Sequence, residues 1–404
     1  MVGRARIAVL LVAGLLAASA GLSGFAAADV PPPPAPGTLR VATWNAALSR
    51  DAPGLLLRDA LAGEAQVEAA VAVVQAARAD VLLLTGIDHD LRGRALAAFL
   101  ERVRAGKDGI DYAHVFAPPV NAGVPSGHDL VGDGRRSSWG DGFGWGKFPG
   151  HSGMALVSRL PVDAAGARTF REFLWRDLPD ASLPEHPDGS PFPSEAAQAA
   201  MRLSSRSHWD VAVVLPEGGR LNLLAAYPTP PVFDGPEGRN LRRNHDEIAF
   251  WRLYLDGWAP LDDRGREAGP PEGPVVVIGD LNADPHDGDG LRVAVQRLLA
   301  HPRLQDPRPA SRGGADAAAR QGGANARHLG DPALDTADWR DAPGPGNLRV
   351  DYVLPDARLE VVAAGVLWPL PATPLADAVE VASAHRLVWV DIALPSLDRV
   401  AAER

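Results

Sequence analysis

Four β-branched residues in a row, Val275 to Ile278, run without a polar break and then stop at Gly279-Asp280-Leu281-Asn282. An apolar run this short, bounded by turn residues, is a strand covered on both faces, because a half-exposed strand would alternate. The same form recurs at residues 80–84, and residues 39–45 alternate before ending on Asn45. Strands are also expected at 112–116, 153–158, 209–215, 221–227, 348–354, 359–367 and 385–392. Between some of them lie helical patterns, at 64–77 with Val67, Val71 and Val74 on one face, at 91–103, and at 240–258 with Leu241, Ile248, Trp251, Leu255 and Trp258. A mixture of helical crossovers and direct strand connections predicts an α/β chain with two packed mixed sheets flanked by helices.

Two stretches, 120–150 and 308–347, have no such pattern and are expected to be long loops. Loops of that length in a compact domain are usually functional. The 404-residue chain has no internal repeat and no break in composition within its body, so one domain over 38–396 is expected, with a short tail at 397–404. Residues 1–28 read as a signal peptide, with Arg4 and Arg6, an apolar stretch from Ile7 to Leu22, and Ala26 to Ala28 as a cleavage site. A retained anchor is the alternative, since about 20 apolar residues suffice to span a bilayer. Residues 29–37 form a Pro-rich spacer, and the predicted location is secreted or periplasmic, with no membrane attachment after cleavage. There is no cysteine, so no disulfide supports an exported fold.

The formal net charge is −10, from 40 basic and 50 acidic residues. That balance repels polyanions, and strong nucleic-acid binding is not expected, because it rests on clustered Lys and Arg that displace counterions. A small phosphate ester is the better partner, and oligomeric state is left open.

Several polar residues share one placement, each at the end of an apolar run or in the turn beside it: Asn45, the 85–88 turn, Tyr227, Asp280 with Asn282, and Asp351 with His385. Taken singly, each is an ordinary turn or surface residue. Taken in order, TWN at 43–45, ADVLLL at 79–84, GMALVSR at 153–159, AYP at 226–228, GDLNADP at 279–285, RVDYVL at 349–354 and SAHRLVWVDI at 383–392 resemble the endonuclease/exonuclease/phosphatase superfamily. PTPPVFDG at 228–235, NHDEI at 244–248 and DGDG at 287–290 resemble a bacterial secreted subgroup of it.

The resemblance implies a four-layer α/β sandwich and divalent-metal phosphoester hydrolysis, with Mg²⁺ or Mn²⁺ as cofactor. Carried over by position, it makes Asn45 and Asp280 metal or phosphate ligands. Asp280 and Asn282 would orient and deprotonate the attacking water. His385, braced by Asp351, would donate to a phosphoryl oxygen, and Tyr227 would bond the phosphate. Arg206, Arg239, Arg243 and His151 are candidate substrate contacts, the arginines of the long helix together with its N-terminal amides.

The pattern also breaks. Gly86 stands where the family has a metal-binding Glu, Ala384 replaces the Asp before the final His, and His151-Ser152 replaces Gln-Tyr. Mg²⁺ is usually held by one or two carboxylates, so only weak metal binding is expected. Asp88 to Asp90 could restore a ligand or could be a plain strand-end turn. The sequence therefore supports a secreted phosphoesterase acting on small mono- or diesters with a depleted metal site. A pseudoenzyme or anion-binding module of the same fold is the alternative, and an extracellular nuclease is a third.

Overall fold

The computed structural model describes residues 30–216 and 218–394. The signal peptide expected over 1–28, the first residue of the spacer, the last residues of the expected domain and the tail at 397–404 lie outside the described residues.

The strands are β1 Thr38–Leu48, β2 Val81–Ile87, β3 His114–Phe116, β4 Gly153–Ser158, β5 Arg168–Thr169, β6 His208–Val214, β7 Arg220–Ala226, β8 Val275–Asp280, β9 Ala337–Asp338, β10 Asn347–Leu348, β11 Asp351–Pro355, β12 Val361–Leu367 and β13 Leu387–Ala393. The helices are α1 Leu55–Ala62, α2 Ala65–Ala77, α3 Arg94–Arg104, α4 Glu195–Ala200, α5 Arg239–Leu255, α6 Val293–Leu299, α7 Arg312–Gln321 and α8 Pro374–Ala382. Six strands form one mixed sheet in the order β12-β13-β1-β2-β4-β3, and five form a second in the order β11-β8-β7-β6-β5. A small hairpin-like pair, β9 with β10, lies apart from both.

The sandwich explains the continuous apolar runs. Val41, Leu83, Leu156 and Val390 on the inner face of the first sheet pack against Trp209, Leu223, Val276 and Ile278 of the second. Neighbouring positions on the same strands, Ala42, Leu82 and Leu84, turn outward onto Val67, Val74 and Phe99 of the covering helices α2 and α3. On the other side Leu224, Val275 and Val277 meet Ile248, Trp251 and Tyr254 of α5. Both faces of each central strand are therefore dry, and alternation has no selective value there. The expected four-layer α/β sandwich is what the chain forms.

Most sequence-expected elements fall within a few residues of their observed bounds. The expected loop over 308–347 is the exception, because it contains α7 and the β9 and β10 strands. Its helix is short and built largely of Gly and Ala, without a large apolar residue to mark its buried face, and Ser311 caps it by accepting from the Gly314 N–H at 3.0 Å. Helices α1, α4, α6 and α8 are likewise too short to stand out from sequence. The Pro-rich stretch is tied to the body: Pro31 is buried, and the Pro32 carbonyl accepts from Arg40 Nη2 at 2.8 Å. Among the described residues no helix is long and apolar enough to cross a membrane.

Candidate active site

Two glycines set the backbone of the site. Gly279 has φ +154°, and a Cβ there would lie 1.9 Å from the Ala226 carbonyl oxygen, so only glycine lets β8 approach β7 this closely just before Asp280. Gly86 has φ +67° and sits where the β2 register slips against both β1 and β4, a bulge in the middle of the first sheet. A Cβ on Gly86 would meet Asn45 Oδ1 at 2.1 Å. The point from which a side chain at 86 would start is filled by the Asn45 carboxamide.

Asn45 is held there from both ends of its amide. Its Oδ1 accepts from the Ala47 N–H at 3.2 Å, and its Nδ2 donates to Asp280 Oδ2 at 2.9 Å and to the Tyr227 hydroxyl at 3.1 Å. Asp280 is fully buried, and its second oxygen accepts from the Asn282 N–H at 3.0 Å. Asn282 has φ +50°, which Asn tolerates better than most residues, and its side chain donates to the Pro228 carbonyl at 3.0 Å. Burial pushes the Asp280 carboxyl up to about 7, with His385 pulling it down and Asp351 pushing it further up.

Asp351 lies directly opposite Asp280 in the β11–β8 ladder. Its Oδ2 accepts from His385 Nδ1 at 2.9 Å and from the Thr336 hydroxyl at 2.9 Å, and Thr336 Oγ1 in turn accepts from the Val350 and Asp351 N–H groups. Burial alone would lower the His385 pKa, but Asp351 and Asp280 outweigh it and raise it to about 9. The imidazole is thus a cation at neutral pH, with Nδ1 spent on Asp351 and Nε2 left over. Its backbone is fixed by Ser383, whose hydroxyl donates to the Asn45 carbonyl at 2.7 Å and accepts from the His385 N–H at 3.0 Å. Ala384 is exposed and directs its carbonyl to the Asp338 N–H at 2.8 Å.

A cavity of about 900 Å³ opens on this cluster and is lined by Asn45, Tyr227, Asn282 and His385 together with Arg206, Arg239 and Arg243. Sequence-selected residues from six separate segments thereby face one space. Asp280 and Asp351 stand behind it rather than on its wall. Arg206 is buried, with its guanidinium carbon 4.6 Å from the centroid of the Tyr227 ring and its Nε donating to the Ser152 carbonyl at 3.2 Å. Arg243 spends Nε on the Leu203 carbonyl at 2.8 Å and Nη2 on those of Phe143 and Arg202, and burial pulls its pKa down to about 10. Arg239 donates to the carbonyls of Leu130 and Gly140. The first-turn amides of α5 are not free for an anion either, because the Asp234 carboxylate accepts from Asn240 and Leu241 N–H, each at 2.7 Å. His151 stands outside the cavity lining, buried beside Trp145 and Phe148, and burial together with Arg206 lowers its pKa to about 4.

Asp88 to Asp90 form the plain strand-end turn. The Asp88 carboxylate accepts from the Arg50 and Ser152 N–H groups at 2.9 and 3.0 Å, and Asp90 caps α3 through the Arg92, Arg94 and Ala95 N–H groups. Sequence reasoning missed Thr336, Trp339 and Glu247. Thr336 braces Asp351, and the Trp339 ring stands edge-on to His385 with centroids 5.3 Å apart. Glu247, in the NHDEI segment, receives the Ser205 N–H, the Ser205 hydroxyl and the Thr229 N–H, and so fixes the loops that carry Arg206 and Tyr227.

The sequence profile of the Endonuclease/Exonuclease/phosphatase family matches residues 42–385. The chain belongs to that family. Similar solved structures include an endonuclease/exonuclease/phosphatase from Beutenbergia cavernae, at 22% identity over 89% of this chain and 72% of that one, with a TM-score of 0.49. A mannosyl-6-phosphatase from Bacteroides thetaiotaomicron is 13% identical over 88% of this chain and 99% of its own, with a TM-score of 0.41. Beta toxin from Staphylococcus aureus with bound magnesium ions is 11% identical over 87% and 98%, with a TM-score of 0.42. Comparison with curated proteins gives no match.

Members of this family are typically hydrolases that depend on a divalent metal. Asp280, Asp351 and His385 offer one ligand atom each within 4.8 Å of one another, and Asp351 Oδ1 is buried without a hydrogen-bond partner. The set nevertheless suits a hard cation poorly. His385 Nδ1 and Asp351 Oδ2 are bonded to each other, both Asp280 oxygens already accept, and Asn45 fills the space beside Gly86. Mg²⁺ demands near-octahedral oxygen ligation, and these residues do not provide it on the cavity side.

Proposed function

We propose that this chain binds a small phosphate ester in the cavity without using the family's metal centre. One observation carries the reading: the carboxamide of Asn45 fills the space beside Gly86, while two cations, Arg206 and protonated His385, line the same cavity. Charge neutralisation of a bound phosphate, which the family takes from a metal, would come from these two groups. Arg206 suits a bidentate grip, and His385 would donate through Nε2. Tyr227 and Asn282 offer further polar contacts at the cavity wall. The net charge of −10 argues against a nucleic-acid partner. The basic start and apolar stretch at the N-terminus support export of the protein, to the periplasm or beyond.

Isothermal titration with phenyl phosphate tests this, run once with chelator and once with Mg²⁺. Equal affinity in both buffers is the expected result. Binding only when Mg²⁺ is present would refute it.

A second reading, a phosphoesterase of small mono- or diesters, is favoured by the meeting of Asp280, Asn282, Asp351 and His385 at one cluster. In that reading Asp280, titrating near neutrality, takes a proton from the attacking water, and the His385 imidazolium donates to a phosphoryl oxygen as charge builds. Asp280 would first have to be released from Asn45. Turnover of aryl phosphates that disappears in Asp280→Ala would establish this reading over the first.

A further inference from the structure

Beyond the phosphate end, the cavity wall is largely aromatic and aliphatic, supplied by Trp145, Val232, Phe233, Trp339 and Leu348. A phosphate group fills a small part of about 900 Å³, a volume near the top of the range for drug-sized ligands, about 300–1,000 Å³. Whatever is esterified to the phosphate must therefore lie on these side chains. Trp339 is the first it meets, because its ring touches His385.

Phe233 makes the same point at the mouth. Its side chain is 90% exposed, an unfavourable position for a large apolar group, and its backbone has φ +65°, which is a genuine outlier for a bulky residue. The loop is nonetheless pinned. Asn240 Nδ2 donates to the Val232 carbonyl at 2.9 Å, and Asp234, the next residue, caps α5 with both carboxylate oxygens. Strain held this firmly persists only where the surroundings over-determine it. Trp145, also on the cavity lining, is 46% exposed and meets Trp139, itself 57% exposed, edge to face at 6.2 Å. Large exposed apolar side chains grouped at the mouth of a cavity mark a surface that a ligand covers.

Charge narrows the class. Asp284, Asp287 and Asp289 also line the cavity, and Gly288 between the last two lies against Leu348. A second phosphate or a polyanion would be repelled there, whereas an uncharged ring would not.

Resting on the proposed phosphate-ester reading, we infer that the ligand is a monophosphate ester of an aromatic group, with its ring held between Trp339 and the Phe233–Trp145 mouth. Aromatic pairs prefer offset or edge-to-face contact, and both tryptophans line the cavity where such a ring would lie.

The test compares phenyl phosphate, ethyl phosphate and inorganic phosphate by titration against the full exported chain. Phenyl phosphate is expected to bind at least about tenfold tighter than ethyl phosphate, about 1.4 kcal/mol. Phe233→Asn keeps a residue that tolerates positive φ, and Trp145→Ala alters a second aromatic of the lining. Each should shrink the phenyl preference several-fold while leaving inorganic phosphate affinity unchanged. Equal affinity for the phenyl and ethyl esters overturns the inference but spares the phosphate reading. So does a phenyl preference that survives both substitutions. Failure of all three ligands to bind overturns both.

Discussion

The side-chain oxygen of Asn45 lies 2.1 Å from the point a Cβ on Gly86 would occupy. Any side chain at 86 therefore displaces Asn45 and also has to accept φ +67°. Gly86→Ala is expected to lower stability by about 1–3 kcal/mol, the usual cost of such strain. Asn45→Ala in the same chain should recover part of the loss, since it removes the clash and leaves only the backbone term. Denaturant midpoints of the two single variants and the double variant measure this, and strict additivity would contradict it.

His385 owes its raised pKa to Asp351 and Asp280, with burial working the other way. Asp351→Asn should bring it down to or below the ordinary 6.5, read directly from the imidazole proton shifts by NMR. Linkage gives a second readout. A histidine raised to about 9 stabilises the fold fully below pH 6.5, and that contribution is lost as pH rises through about 9. Asp280, raised from 3.8 to about 7, acts in the same direction, with its contribution fading as pH rises through about 7. The thermal midpoint of the wild type should fall between about pH 4 and 9, and Asp351→Asn should flatten the upper part of that fall.

Ligand affinity should follow the same groups. A phosphodiester such as phenyl methyl phosphate keeps one negative charge throughout this range, so any change in its binding belongs to the protein. Ionisation of Asp280 near pH 7 adds a negative charge beneath the cavity, and loss of the His385 proton near pH 9 removes a positive one. Affinity is expected to drop in two steps, set by the neighbouring Asp280 and His385. Asp280→Asn should abolish the lower step, and a titration series against pH would show whether it does.

Arg206 combines a planar fork with a position over the Tyr227 ring. Arg206→Lys preserves the charge but loses the bidentate geometry and the stacking. Phosphate-ester affinity should fall about tenfold, or about 1.4 kcal/mol, with little change in the denaturation midpoint. An unchanged dissociation constant would remove Arg206 from the binding site.

Glu247 is buried and receives three donors, two from Ser205 and one from Thr229. Glu247→Ala strands those donors in a dry interior at about 1–3 kcal/mol each before relaxation. A total loss of about 3 kcal/mol is expected in a denaturant melt, with weakened phosphate-ester binding at temperatures where the chain remains folded. The second effect separates a residue that positions Arg206 and Tyr227 from one that only fills the core.

The sandwich was legible because its strands are dry on both faces, which leaves an unbroken apolar signature at β2 and β8. The convergence of Asn45, Tyr227, Asn282 and His385 was legible for a related reason: each lies at or beside one end of such a run, His385 just ahead of the last one. What could not be read was how polar atoms are spent. Arg239 and Arg243 look free in sequence but give their donors to carbonyls of loop residues far along the chain, such as Leu130 and Phe143. Thr336 carries no local pattern, and its role exists only because β9 and β10 bring it to Asp351. The loss at Gly86 was visible, whereas the consequence that Asn45 moves into the gap depends on a bulge no periodicity reveals.

The first described strand and the last lie side by side, joined over Thr38 to Thr43 and by the buried Arg40–Asp391 pair at 2.7 Å. Trp44 Nε1 donates to the His385 carbonyl, and Ser383 donates to that of Asn45. The pocket is thus closed by the two extremities of the domain. A ribosome or a translocation pore delivering this polypeptide from its N-terminus releases Asn45 more than 300 residues before its partner arrives. A product that stops ahead of His385 lacks the residues that fix Trp44 and Asn45 from the other end of the chain, so this cluster assembles only with completion of the body.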